Sequence, residues 1–296
     1  MIRRDIPPER VVAQAVELEQ YFDELWVVED LPFAGGISQM SAILEATEDV
    51  VVGHGIAPAP FRTAAALAME WATLERMYPG RVACGLGHGV QSWMSQLGEN
   101  VASPLTLIGE TCDAVRSLLV GETVSRDGRY VTVEDVTLEF PPRIPPPVSL
   151  GVVGPRSLEL SGELADGTIL CEAHGPDEIT HARARIRAGQ ERSDRRSDHR
   201  ITVLAAVHVG VVDDIVRNPD APVGWEAVSS DPTEVARSLM TLFEAGAHSV
   251  VLVPLSSDPV DGLRVAVEHV VPVVRELLAD PGVRPLGSDP DLGVRP

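Results

Sequence analysis

Short runs rich in Val, Ile and Leu alternate with amphipathic helical stretches from about residue 9 to residue 278, and that order leaves few folds open. It is the pattern of a parallel sheet built from βα units. After Pro7-Pro8, with Glu9 in the first turn, helical spacing carries Val11, Val12, Ala15, Val16 and Leu18 to about Tyr21. Strand-like runs follow at Leu25–Val28, Val50–Gly53, Val82–Leu86, Val148–Val153, Thr168–Cys171, Ile201–Val209 and Ser249–Val253. Helical patterns between them include Ser38–Glu45 and Arg62–Met77, and the last runs from Asp261 to Leu278. Between Gln91 and Pro147 the alternation is interrupted by a helical segment, Ser103–Val120, a hairpin pattern around Gly128 and a stiff Pro141–Pro147 connector.

The count is seven strands, and a closed (β/α)8 barrel needs eight. The missing strand would precede the first helix, where only Met1-Ile2 and Ile6 are available, so it is expected to be very short or absent. An open doubly wound sheet is the alternative. One domain is expected over residues 1–279, with an insertion at 91–147 after the fourth strand and a mobile Pro/Gly/Asp-rich tail at 280–296.

Composition removes several functions. All 24 basic residues are arginines, which excludes Schiff-base lysines, pyridoxal-phosphate chemistry and a P-loop lysine. A formal charge of −20 opposes the counterion release that drives binding to nucleic acids and anionic membranes, so neither partner is expected. Cys84, Cys112 and Cys171 are odd in number and widely spaced, which reads as reduced thiols in a cytoplasmic protein. No apolar stretch has the length of a membrane span, and no histidine cluster has ligand spacing, so no metal is expected. The run Gly85-Leu86-Gly87-His88-Gly89 is glycine-dense, but it lacks the G-x-G-x-x-G opening of a dinucleotide site.

Four segments carry a resemblance. They are Leu25-Trp26-Val27-Val28-Glu29-Asp30; Val52-Gly53-His54-Gly55-Ile56-Ala57-Pro58 with Arg62; Pro79 to Gly89; and Gly151-Val152-Val153-Gly154-Pro155-Arg156-Ser157-Leu158 running on to Ala165-Asp166-Gly167. In order and spacing the chain resembles the luciferase-like monooxygenase superfamily, in particular its deazaflavin-dependent branch, which includes methylenetetrahydromethanopterin reductase. The resemblance implies a luciferase-like (β/α)8 TIM barrel, coenzyme F420 as cofactor with FMN as the alternative, a small-molecule substrate and a homodimer. It departs from the family in the near-absent first strand and in Tyr21, which stands where the family usually has a glycine.

In a parallel barrel the site lies at the carboxyl ends of the strands. The resemblance implies a bulge with a non-prolyl cis peptide at Gly55-Ile56, behind the cofactor ring. An ordinary glycine turn is the alternative. Gly154, Pro155, Arg156 and Ser157 have the makings of an anion site at a helix start, where the cofactor's phosphate is expected. His88 stands where the resembling sugar-phosphate dehydrogenase has an acidic proton-handling residue, and an imidazole can do that work at neutral pH. His54 and Glu29 are expected to share the proton handling. Asp30, at a position where several members carry a histidine, is expected at the cofactor with Gly53, Gly87 and Gly89. The implied activity is hydride transfer between F420 and a small organic substrate, in the direction of reducing an activated C=C or C=N bond. The alternatives are an FMN-dependent monooxygenase and a non-catalytic flavin-binding barrel.

Overall fold

The computed structural model describes residues 1–193, 198–217, 224–256 and 258–279. The tail expected to be mobile, 280–296, lies outside them. The chain divides into two compact units, residues 1–169 with 186–199, and residues 170–185 with 200 onward.

In the first unit the elements run α1 (Pro8–Glu19), β1 (Glu24–Val27), α2 (Gly36–Ala46), β2 (Val51–Pro58), α3 (Ala64–Met77), β3 (Val82–Gly87), α4 (Gln91–Leu97), α5 (Pro104–Leu119), β4 (Val124–Asp127), β5 (Thr132–Val136), β6 (Val148–Gly151), α6 (Pro155–Leu164) and β7 (Gly167–Leu170). Strands β1, β2, β3, β6 and β7 pair in that order, all parallel. The expected first strand is reduced to one bridge: Ile2 pairs with Val27, its N–H donates to the Trp26 carbonyl at 2.8 Å, and its side chain is buried. The helices cover the sheet with the stripe their spacing predicts, as α1 does with Val11, Ala15 and Leu18.

Two helix starts differ from the sequence reading for the same reason. Helix α2 begins at Gly36 rather than Ser38, because the Gly36 N–H is taken by the Glu29 side chain. Helix α3 begins at Ala64 rather than Arg62, because Thr63 caps it by accepting from the Ala66 N–H and Arg62 turns back in extended backbone. Not all of 91–147 is added to the βα plan. Strands β3 and β6 pair directly, so a crossover must join them. Helix α5 packs on α3, α6 and β3 and supplies it. The additions are α4, which sequence reading leaves out, and the β4–β5 hairpin. Glu110 of α5 pins that hairpin's turn by accepting from the N–H groups of Arg129, Tyr130 and Val131.

The second unit contains β8 (Arg200–Val209), β9 (Ala227–Ser229), α8 (Pro232–Ala245), β10 (Ser249–Pro254), α9 (Pro259–His269) and α10 (Val271–Ala279); α7 spans Pro176–Ser193. Strand β8 pairs in parallel with β10 and, at its end, with β9, a three-residue strand too short to read from sequence. The single last helix expected from Asp261 to Leu278 is two helices, broken at Val270, because Pro272 has no N–H to continue the ladder. No helix among the described residues is long and apolar enough to cross a membrane.

Candidate active site

Every candidate site residue lies in the first unit, within β2, at the end of β3, or past the ends of β1, β3 and β6. Glu29, just past β1, is buried and fully engaged. Arg62 donates to both of its oxygens at 2.6 Å, and the Gly36 N–H donates to Oε1 at 3.0 Å. Burial pushes this carboxyl up, but the facing His54 and Arg62 outweigh it and bring it down to about 2. Glu29 is therefore a carboxylate at neutral pH, with no proton to give.

His54, inside β2, is sealed from solvent. Its Nδ1 accepts from the Trp71 indole N–H at 3.4 Å, and since an indole nitrogen only donates, the ring proton sits on Nε2. That nitrogen stands 3.4 Å from Glu29 Oε2, long for a hydrogen bond, and has no other partner. A Cβ on Gly36 would overlap it, so the ring occupies space that a glycine leaves open. The two residues expected to share the proton handling thus stand together, and through Gly36 and Arg62 they tie the loop between β1 and α2 to the end of β2.

The expected bulge is present. The Gly55-Ile56 peptide is cis, and between His54 and Ala57 strand β2 advances three residues while β3 advances two, from Cys84 to Leu86. The glycines around it have assigned work. A Cβ on Gly53 or Gly55 would strike the Trp26 ring, and one on Gly85, Gly87 or Gly151 would strike the Ile56 side chain. The glycine density of β3 is the space into which Ile56 projects. Gly89 has φ +71°, where side chains are rarely accommodated, and lies against Met94 of α4.

Helix α6 starts as expected, with Gly154 at the N-cap, no side-chain cap and Pro155 in the first turn. Its intrahelical bonding begins with the Leu158 N–H on the Gly154 carbonyl at 2.9 Å, which leaves the Arg156 and Ser157 amides without helix partners. Arg156 is exposed and makes no hydrogen bond or ion pair with another described residue. His88 joins this end of the site. Its Nδ1 faces the Pro104 carbonyl at 3.3 Å and its Nε2 faces the Ser157 hydroxyl at 3.1 Å. A carbonyl only accepts, so Nδ1 carries the proton and Ser157 donates to Nε2. Both ring nitrogens are engaged, burial holds the pKa of His88 below the usual histidine value, and the ring orients Ser157.

Asp30, half-buried beside Glu29, pairs with Arg4 at 3.1 Å. The Arg4 guanidinium also lies over the rings of Phe33, at 4.9 Å, and Trp93, at 5.8 Å. Sequence reasoning passes over Arg4 and Trp71, because neither belongs to a local motif and each acts through a contact far away in the chain. Cys171, at the end of β7, is no activated thiol: burial and Glu172 push it up to about 11. Among the described residues no three metal-ligating side chains are grouped to hold an ion.

Residues 2–218 match the luciferase-like monooxygenase family model, nearly three quarters of the chain. The chain belongs to that family. This luciferase-like chain is 29% identical over 177 residues to 5,10-methylenetetrahydromethanopterin reductase of Methanolobus tindarius, covering 60% of its own length and 54% of the relative's. It is 26% identical over 245 residues to F420-dependent glucose-6-phosphate dehydrogenase of Nakamurella multipartita, covering 77% of itself and 71% of that protein. The chain thus spans only about half the length of the first of these relatives. Among solved structures, an F420-dependent secondary alcohol dehydrogenase in complex with an F420-acetone adduct superposes with a TM-score of 0.79 at 21% identity, over 91% of this chain and 96% of that one. The luciferase-like chain therefore has the α/β barrel fold of its family.

Proposed function

We propose that this chain is an oxidoreductase that uses coenzyme F420 to move a hydride to or from a carbon of a small organic substrate, in the direction of reducing an activated C=C or C=N bond. The observation that carries the reading is the donor set at the start of α6: two unpartnered amides, the Ser157 hydroxyl and the exposed Arg156 guanidinium, at a helix N-terminus with no side-chain cap. That set suits a phosphate and repels a cation. The name of one sequence relative, an F420-dependent glucose-6-phosphate dehydrogenase, supports the choice of cofactor.

When bound, the deazaflavin supplies the hydride-carrying carbon. The chain's own residues do the rest. Gly154, Arg156 and Ser157 hold the phosphate, with Pro155 fixing the helix start. Ile56, projecting from the bulge and seated over Gly87 and Gly151, gives the ring an apolar backing, and Gly53 and Gly55 let Trp26 pack behind it. Glu29, Arg62 and His54 fix the loop that carries Asp30, whose carboxylate pairs with Arg4. Phe33 and Trp93, held by Arg4, narrow the entrance and exclude water.

The test is an anaerobic assay of the purified chain with reduced F420 against a panel of conjugated C=C and C=N compounds, following the return of the oxidised cofactor's absorbance. Oxidation of F420 by at least one of them is expected. Oxygen-dependent turnover with reduced FMN and none with F420 would move the chain to the monooxygenase reading.

A further inference from the structure

We propose that an anion seated at the start of α6 is bound together with a proton, which His88 takes up and Ser157 relays to the anion as a hydrogen bond. The inference rests on the phosphate reading of α6 and adds to it a proton that the reading does not require. The geometry supplies the reason. His88 Nδ1 is committed as donor to the Pro104 carbonyl at the start of α5, so Nε2 is a lone pair, and the Ser157 O–H is spent on it. In that arrangement Ser157 turns oxygen lone pairs, not a proton, toward the helix opening. An anion placed there meets a repulsive hydroxyl beside two attractive amides.

Rotating the Ser157 proton toward the anion repairs that contact and breaks another, because the Ser157 oxygen would then face the bare Nε2 lone pair across 3.1 Å. One proton from solvent resolves both. Protonated at Nε2, His88 donates to Ser157 Oγ, Ser157 donates to the anion, and the imidazolium adds a positive charge to the cradle. Helix α5 presents the Pro104 carbonyl and α6 the Ser157 hydroxyl, and no charged side chain among the described residues shifts the titration of His88. Without an anion, burial keeps the ring neutral; with one, the added negative charge favours the imidazolium.

Linkage fixes the sign. The pKa of His88 rises on binding, so affinity is highest below the free-state value, falls by up to tenfold per pH unit above it, and levels off beyond the bound-state value. Calorimetric titration of the intact chain with F420, in two buffers of equal pH and different ionisation enthalpy, reads the protons taken up. The wild type is expected to take up more than Ser157→Ala and His88→Asn do. Ser157→Ala alters only the first turn of α6, so it reports even where the His88 variant fails to fold. Equal proton counts in wild type and variants, with binding intact, overturn the proposal and leave the cofactor reading standing. Failure of F420 to bind the folded wild type overturns the cofactor reading instead. The same comparison with inorganic sulfate, which brings no proton at neutral pH, then decides the coupling, and absence of sulfate binding overturns it.

Discussion

Arg62 and Glu29 meet through two parallel hydrogen bonds of 2.6 Å, tying the residue just before the cap of α3 to the residue just past β1. Glu29 also receives the first amide of α2, so one carboxylate joins the ends of two strands and the starts of two helices. Because Glu29 is buried, breaking this pair leaves a charge with no water to replace its partner. Arg62→Ala is expected to lower unfolding stability by about 3 kcal/mol, measured by chemical denaturation. A loss below about 1 kcal/mol would mean the pair behaves like a surface ion pair.

The same carboxyl sets an acid limit. Its pKa lies at about 2 in the folded chain against an ordinary value of 4.5, so its stabilisation is complete above the ordinary value and is lost as pH falls toward the folded one. That is about 3 kcal/mol disappearing between pH 4.5 and 2. Glu75, whose pKa burial raises, works in the opposite sense, but only above the ordinary carboxyl value, before this fall begins. Glu29→Gln is expected to be less stable at pH 7 and to lose less on acidification. Parallel stability curves for the two chains would remove Glu29 from the account.

Gly36 separates two effects of opposite sign. Alanine in a helix gains up to about 1 kcal/mol over glycine in propensity. At this position, however, its Cβ would overlap the sealed His54 ring, and overpacking of a buried site costs about 1–3 kcal/mol. Gly36→Ala is therefore expected to destabilise, and to do so less in a chain that also carries His54→Ala. A stabilised Gly36→Ala chain would show that the His54 ring has room to move.

The barrel plan was legible because burial in a parallel sheet writes itself as apolar runs, and the seven runs read from sequence correspond to β1, β2, β3, β6, β7, β8 and β10. The first strand was not, since a single bridge at Ile2 leaves no run to read. The bulge at Gly55-Ile56 and the helix start at Pro155 were legible through the family's motifs. The partners of Glu29, His54 and His88 were not legible, for one physical reason. Sequence places a titratable group at a strand end, but whether it faces a substrate or a buried partner depends on Arg62, Trp71 and Ser157, which lie 17 to 69 residues away.

A direct fluorescence titration of the purified chain with F420 and with FMN, repeated on Arg156→Ala, tests the central claim. The account predicts binding of F420 in preference to FMN, weakened about tenfold or more by the substitution, a loss of at least ~1.4 kcal/mol at an exposed side chain that makes no hydrogen bond or ion pair with another described residue. Preference for FMN, or F420 affinity unchanged in Arg156→Ala, would contradict it.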